Sequence, residues 1–93
     1  MGDDLGGRVD PSLPVYVYVQ VADDLTRRIE AGELQPGARL PAEPDLAREY
    51  GVSYMSARRA IRVLRDRGLA ITVPSKGTYI QAPEGGFADG ASS

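Results

Sequence analysis

The sequence predicts a mainly α (α+β) domain: three helices followed by a two-stranded β-hairpin. Three observations predict it. Apolar residues recur at helical spacing in three separate stretches, closed by Gly32, Gly51 and Gly68 in turn. The last structured stretch, LAITVPSKGTYIQ, holds two short strand-like runs on either side of a Pro-Ser-Lys-Gly turn. The third helical stretch also concentrates charge. Five arginines fall between Arg58 and Arg67 against Asp66 alone, in a chain whose formal net charge is −2.

The first element is locally ambiguous. VYVYVQV alternates like a strand, yet Val21, Ala22, Leu25 and Ile29 repeat at helical spacing, with Asp23, Asp24, Arg27 and Arg28 on other faces. A helix from Val15 or Tyr18 to Ala31 is expected. The second helix is bracketed at its start by Pro41 and Pro44, since proline is tolerated in a first turn where amides lack partners. Glu43 and Asp45 suit the positive end of its dipole, Leu46, Ala47 and Tyr50 form its apolar side, and Gly51 ends it. Ser53 is an N-cap for the third helix, Tyr54 to Arg67. There Ala57, Ala60, Ile61 and Leu64 make one apolar stripe. Arg58, Arg62 and Arg65 share a flank of the opposite surface, with Arg59 beside them.

Residues 1–13 read as a flexible N-terminal tail, 14–82 as the domain, and 83–93 as a flexible tail or truncated linker, on their Gly, Ala, Ser and Asp content. Within the domain the helix-turn-helix is expected at about 43–62 and a hairpin wing at about 69–81. Such a domain lies near the lower size limit for folding without staples. With no cysteine and no histidine, thiolate sites, disulfides and the commonest general base are excluded, and neither a cofactor nor a metal is expected. The carboxylates at Glu43 and Asp45 have no nucleophile or base near them in sequence, so an enzyme is not the expectation. The N-terminus lacks the basic-then-apolar order of a secretory signal, and no apolar run has the length of a membrane span, which makes a cytoplasmic location the expectation.

Helix, helix, turn, helix and hairpin is the order of a winged helix-turn-helix. In that geometry the second helix of the pair enters the DNA major groove while the first crosses the backbone. Residues Ser53, Tyr54, Met55, Ser56, Arg58 and Arg59 then face base edges, and Arg62 reaches phosphate. At the wing, Lys76, Gly77 and Thr78 are placed for the backbone or minor groove. A local cationic face serves this purpose whatever the total charge, because fields are screened beyond about 10 Å at ordinary ionic strength. Several residues have a plainer reading. Arg65 and Arg67, flanking Asp66, read as solvated surface, and Tyr16, Tyr18 and Tyr50 read as packing rather than base-stacking groups. Tyr54 and Met55 either cover the small core or touch a thymine methyl group.

YVQVADDLTRRIEAGELQPGARLPAEPDLAREYGVS followed by ARRAIRVLRDRGLAITVPSKGTYI resembles the N-terminal DNA-binding domain of GntR-family bacterial transcription regulators. The resemblance rests on the G-L-x-P-G-x-R-L-P-like run ending at Pro41, the G-V-S turn at Gly51 to Ser53, and the K-G-T-Y wing at Lys76 to Tyr79. It implies a helix through the ambiguous start, and it adds Arg39 to the residues expected on DNA. It further implies a sequence-specific regulator, a repressor by expectation, binding double-stranded DNA as a homodimer on a pseudo-palindromic operator. A small-molecule effector is implied only if a C-terminal domain missing from these residues exists. The chain departs from the family pattern at Ala42 (usually Ser), Pro44 (commonly Arg), Tyr54 (usually Arg) and Ser75-Lys76 (usually Gly-Arg), while Arg58 is retained. The acidic total, Pro44, Tyr54 and Met55 support an alternative, a winged-helix protein-interaction module that does not bind DNA.

Overall fold

The computed structural model describes residues 9–81. Helix α1 spans Val17–Glu30, α2 Glu43–Tyr50 and α3 Tyr54–Asp66, followed by strands β1, Ala70–Val73, and β2, Gly77–Ile80. The two strands pair antiparallel with Ala70 opposite Ile80 and Thr72 opposite Thr78. Three helices and a two-stranded wing are the winged helix-turn-helix architecture. Helix α3 is central: α1, α2 and β1 all pack against it.

The apolar stripes account for this arrangement. Val21, Leu25, Leu46, Ile61 and Leu64 are the largest fully buried side chains, and they come from all three helices. Ala57 and Ala60, both without exposed surface, let neighbouring helices approach α3 closely. The same burial decides the ambiguous first element. VYVYV has local strand preference, but only a helix puts Val21, Ala22, Leu25 and Ile29 on one buried face. The charged residues of that helix do not all face water, however. Asp24 was expected on an outer face and is instead buried against α2, where the Tyr50 hydroxyl donates to it at 2.5 Å.

Helix α1 begins without a side-chain cap from Tyr16. Its first turn is tied instead to the preceding segment by Gln20, whose amide nitrogen donates to the carbonyls of Asp10 and Val15, both at 2.9 Å. The Gln20 carbonyl in turn accepts from the Asp10 amide at 2.7 Å. Val9 is buried in the common core. Residues 9–13, expected as part of a tail, are therefore docked on the domain. Composition signalled a linker here, and a single long-range side-chain clamp overrides it. The rest of the expected N-terminal tail and the expected tail at 83–93 lie outside the described residues.

At the end of α2, Gly51 takes a φ of 68°, the left-handed conformation that a side chain disfavours, and the Val52 amide returns to the Ala47 carbonyl at 2.9 Å. This sharp stop lets Ser53 open α3 at once. The Ser53 hydroxyl accepts from the Ser56 amide at 3.0 Å, the expected capping bond. Ala42, by contrast, supplies no side-chain cap to α2.

The wing has an anchor that no local sequence pattern signals. Residues 37–40 run antiparallel to β2: the Leu40 amide donates to the Thr78 carbonyl and the Ile80 amide to the Ala38 carbonyl, each at 2.8 Å. Arg39 is thereby bridged to Tyr79. Among the described residues, no helix is long and apolar enough to cross a membrane.

Candidate nucleic-acid interface

The apolar stripe of α3 is spent on the core, so its remaining face must point outward. Arg58, Arg59, Arg62 and Arg65 are all exposed on that face. Together with Met55, Glu43, Thr72 and Thr78 they line an open groove of about 480 Å³ between α3 and the wing. Its far wall is held by a short chain of polar contacts. Arg65 Nη1 donates to Thr72 Oγ1 at 3.0 Å, and Thr72 and Thr78 share a hydrogen bond of 3.0 Å across the strand pair. A second, adjoining cleft of about 380 Å³ brings Arg39, Lys76, Gly77 and Thr78 together with Glu43 and Pro44.

The electrostatics separate two sets of arginines. Arg27 pairs with Asp24, Arg28 with Glu33 and Glu49, Arg48 with Asp45, and Arg67 with Asp23. None of Arg58, Arg59, Arg62 or Arg65 pairs with a carboxylate among the described residues. Acids on α1 and α2 thus neutralise the arginines behind the groove and leave its own arginines uncompensated. Arg59 lies over the Tyr18 ring, 5.7 Å from its centroid, and Tyr18 stacks on Tyr16 at 5.9 Å. The α1 aromatics thereby brace one edge of the cationic face.

Glu43 is the exception inside the groove. Its Oε1 accepts from the Tyr54 hydroxyl at 2.8 Å. That hydrogen bond, with the carboxylate's charge, holds the phenol above its ordinary range, while the nearby Arg58 charge opposes the shift. Tyr54 and Met55 remain 46% and 53% exposed. They do not cover the core, so of the two readings the packing one is set aside.

The wing turn carries two residues in the left-handed half of backbone space, Ser75 at φ 67° and Gly77 at φ 128°. A Cβ on Gly77 would lie 2.7 Å from Arg39 Nε and displace that flexible guanidinium, but it is the positive φ that calls for glycine here.

Of the residues expected from sequence, Met55, Arg58, Arg59, Arg62 and Thr78 converge on the larger groove. Arg39, Lys76, Gly77 and Thr78 line the smaller one. Ser53, Tyr54 and Ser56 lie at the α3 N-terminus and line neither. Three groove residues were missed. Arg65 was assigned to solvated surface although it shares the flank of Arg58 and Arg62, which was the available signal. Glu43 was read as a dipole partner only. Thr72 belongs to a strand whose facing depends on the wing register, and no local signal marks it. Arg67, also read as solvated, is exposed, and it additionally donates to Asp23 and to Thr26 Oγ1, both at 2.9 Å, fastening the end of α3 to α1.

The fold and its outward arginine face define a winged helix-turn-helix domain. The chain belongs to the gntR family of bacterial regulatory proteins, whose family model matches residues 17–80, well over half of the chain. It is 33% identical over 76 residues to the HTH-type transcriptional repressor NagR of Bacillus subtilis, an alignment covering 82% of this chain and 31% of that protein. The chain therefore spans about a third of the length of that relative. Among solved structures it is similar to YtrA from Sulfolobus acidocaldarius, a GntR-family transcription factor, at TM-score 0.74 and 26% identity, covering 89% of this chain and 88% of that one. It is also similar to the AraR DNA-binding domain in complex with operator ORX1, at TM-score 0.67 and 30% identity, covering 77% and 93%.

Proposed function

We propose that the chain is a sequence-specific DNA-binding domain of a transcriptional regulator, acting as a repressor by occluding a promoter in the bacterial cytoplasm. The groove of uncompensated arginines between α3 and the wing carries this reading, since a polyanion is the partner such a surface fits. Helix α3 lies in the major groove with Arg58 bidentate to a guanine, and Ser53 and Ser56 stand at its N-terminal end beside the backbone and base edges. Arg59 stands beside Arg58 toward the base edges, and Arg62 neutralises a phosphate. Arg39, Lys76, Gly77 and Thr78 follow the adjacent backbone or minor groove. A homodimer on a pseudo-palindromic operator matches two such faces to two half-sites. A small-molecule effector would bind only through a further domain.

Selection of bound sequences from a random double-stranded pool, at low and moderate salt, tests this. An enriched inverted repeat is the expected result. The second reading, a protein-interaction module, is favoured by the exposure of Tyr54 and Met55. It predicts no DNA binding even at low salt, and a partner interface that tolerates rising salt.

A further inference from the structure

Two large apolar side chains stand exposed at the first turn of α3, on a surface otherwise given over to arginine. Tyr54 is 46% and Met55 53% exposed, and neither packs on the core. Met55 lines the groove beside Arg58, Arg59 and Arg62. Tyr54 is not a loose side chain: its hydroxyl is committed to Glu43 at 2.8 Å, which fixes the ring across the gap between α2 and α3. With its polar end already occupied, the ring offers apolar surface to whatever approaches. Glu43 puts a negative charge beside the ring, and no arginine pairs with it among the described residues. The first turn of the second helix in such a pair is the part that reaches base edges. In the major groove the apolar feature on a base edge is the C5-methyl group of thymine.

We infer that Tyr54 and Met55 together read the 5-methyl group of a thymine, next to the base read by Arg58, and so set the sequence preference of this chain. The inference rests on the proposed DNA-binding reading. Met55, in the groove beside Arg58, is the adaptable contact, since an unbranched thioether side chain moulds to irregular apolar surfaces, and Tyr54, held by Glu43 at the start of the helix, flanks it.

The test changes one methyl group. In anisotropy titrations with the operator recovered by selection, each thymine is replaced in turn by deoxyuracil, which keeps every hydrogen-bonding group and lacks only the methyl. One thymine position per half-site is expected to weaken binding of the native chain about fourfold, which is about 0.8 kcal/mol for one buried methyl group. The same replacement is expected to be neutral for a Tyr54→Ala, Met55→Ala double variant. Neutral substitution at every thymine with the native chain overturns the inference while leaving the DNA-binding reading intact. So does an equal loss in the double variant, or an operator without thymine in its half-sites. Absence of selective DNA binding altogether is a different result, and it overturns the proposed function itself. The deoxyuracil series on the native chain needs no variant to fold.

Discussion

Arg58 is exposed one turn into α3, lines the groove, and has no carboxylate partner among the described residues. Arg58→Ala is expected to cost about 1–3 kcal/mol on the cognate operator, the value of one bidentate base contact, and to relax selectivity at that base. A gel-shift titration with unchanged affinity would remove Arg58 from base reading. Gly77 is the second decisive single residue. Its φ of 128° makes Gly77→Ala strained in torsion, and the Arg39 guanidinium, 2.7 Å from a would-be Cβ, would have to swing aside. That variant is expected to lose about 1–3 kcal/mol of stability in urea unfolding. Both positions were legible in the sequence, Arg58 from helical phase and Gly77 from its place in a turn. The reason for Gly77 was only half legible. The turn was foreseeable, but the Arg39 side chain lying over it comes from a segment nearly forty positions earlier, and only the fold brings the two together.

At the scale of elements, α1 and α2 are joined by a buried polar cluster. Tyr50 donates to Asp24 at 2.5 Å and accepts from Arg28 Nη1 at 3.0 Å, and Arg28 also reaches Glu49 at 3.3 Å. Partial burial opposes the Arg28 charge, but Tyr50 and Glu49 outweigh it and hold the guanidinium more firmly protonated than usual. Tyr50→Phe removes the shared hydroxyl and leaves Asp24 one partner poorer in a dry place. A loss of about 1–3 kcal/mol is expected, with the midpoint of urea unfolding lowered and the slope unchanged. An unchanged midpoint would show that the other partners of Asp24, Arg27 among them, satisfy it without the phenol. Tyr50 was read correctly as a packing residue, but Asp24 was misplaced on an outer face. Periodicity sorts residues by chemical type, and it cannot see that a carboxylate one step from the apolar stripe has a phenol waiting on the next helix.

At the scale of the molecule, charge is sorted into two compartments. Acids of α1 and α2 take up Arg27, Arg28, Arg48 and Arg67, and the arginines of the groove pair with no carboxylate among the described residues and outnumber the one carboxylate, Glu43, that lines it with them. A net charge of −2 is compatible with a strongly cationic working face for this reason. Operator affinity is accordingly expected to fall steeply with salt. Arg62→Ala should weaken all sequences alike and flatten the log–log salt slope by about one. A loss confined to the cognate site would place Arg62 on a base instead of a phosphate.

The sequence by itself determined the three helices, the hairpin, the buried stripes and the cationic flank of α3, because each follows from spacing within a single element. Glycines and proline-rich starts marked most of the boundaries. Tertiary structure alone decided how these pieces meet. It docked residues 9–13 through Gln20, anchored the wing on residues 37–40, buried Asp24 under Tyr50, diverted Arg67 to Asp23, and brought Thr72, Arg65 and Glu43 into one groove. Each of these brings together polar groups from different elements or segments of the chain. Polar residues carry no periodic signal of their partners, and their pairing is chosen only after the apolar faces have set which helices and strands lie side by side.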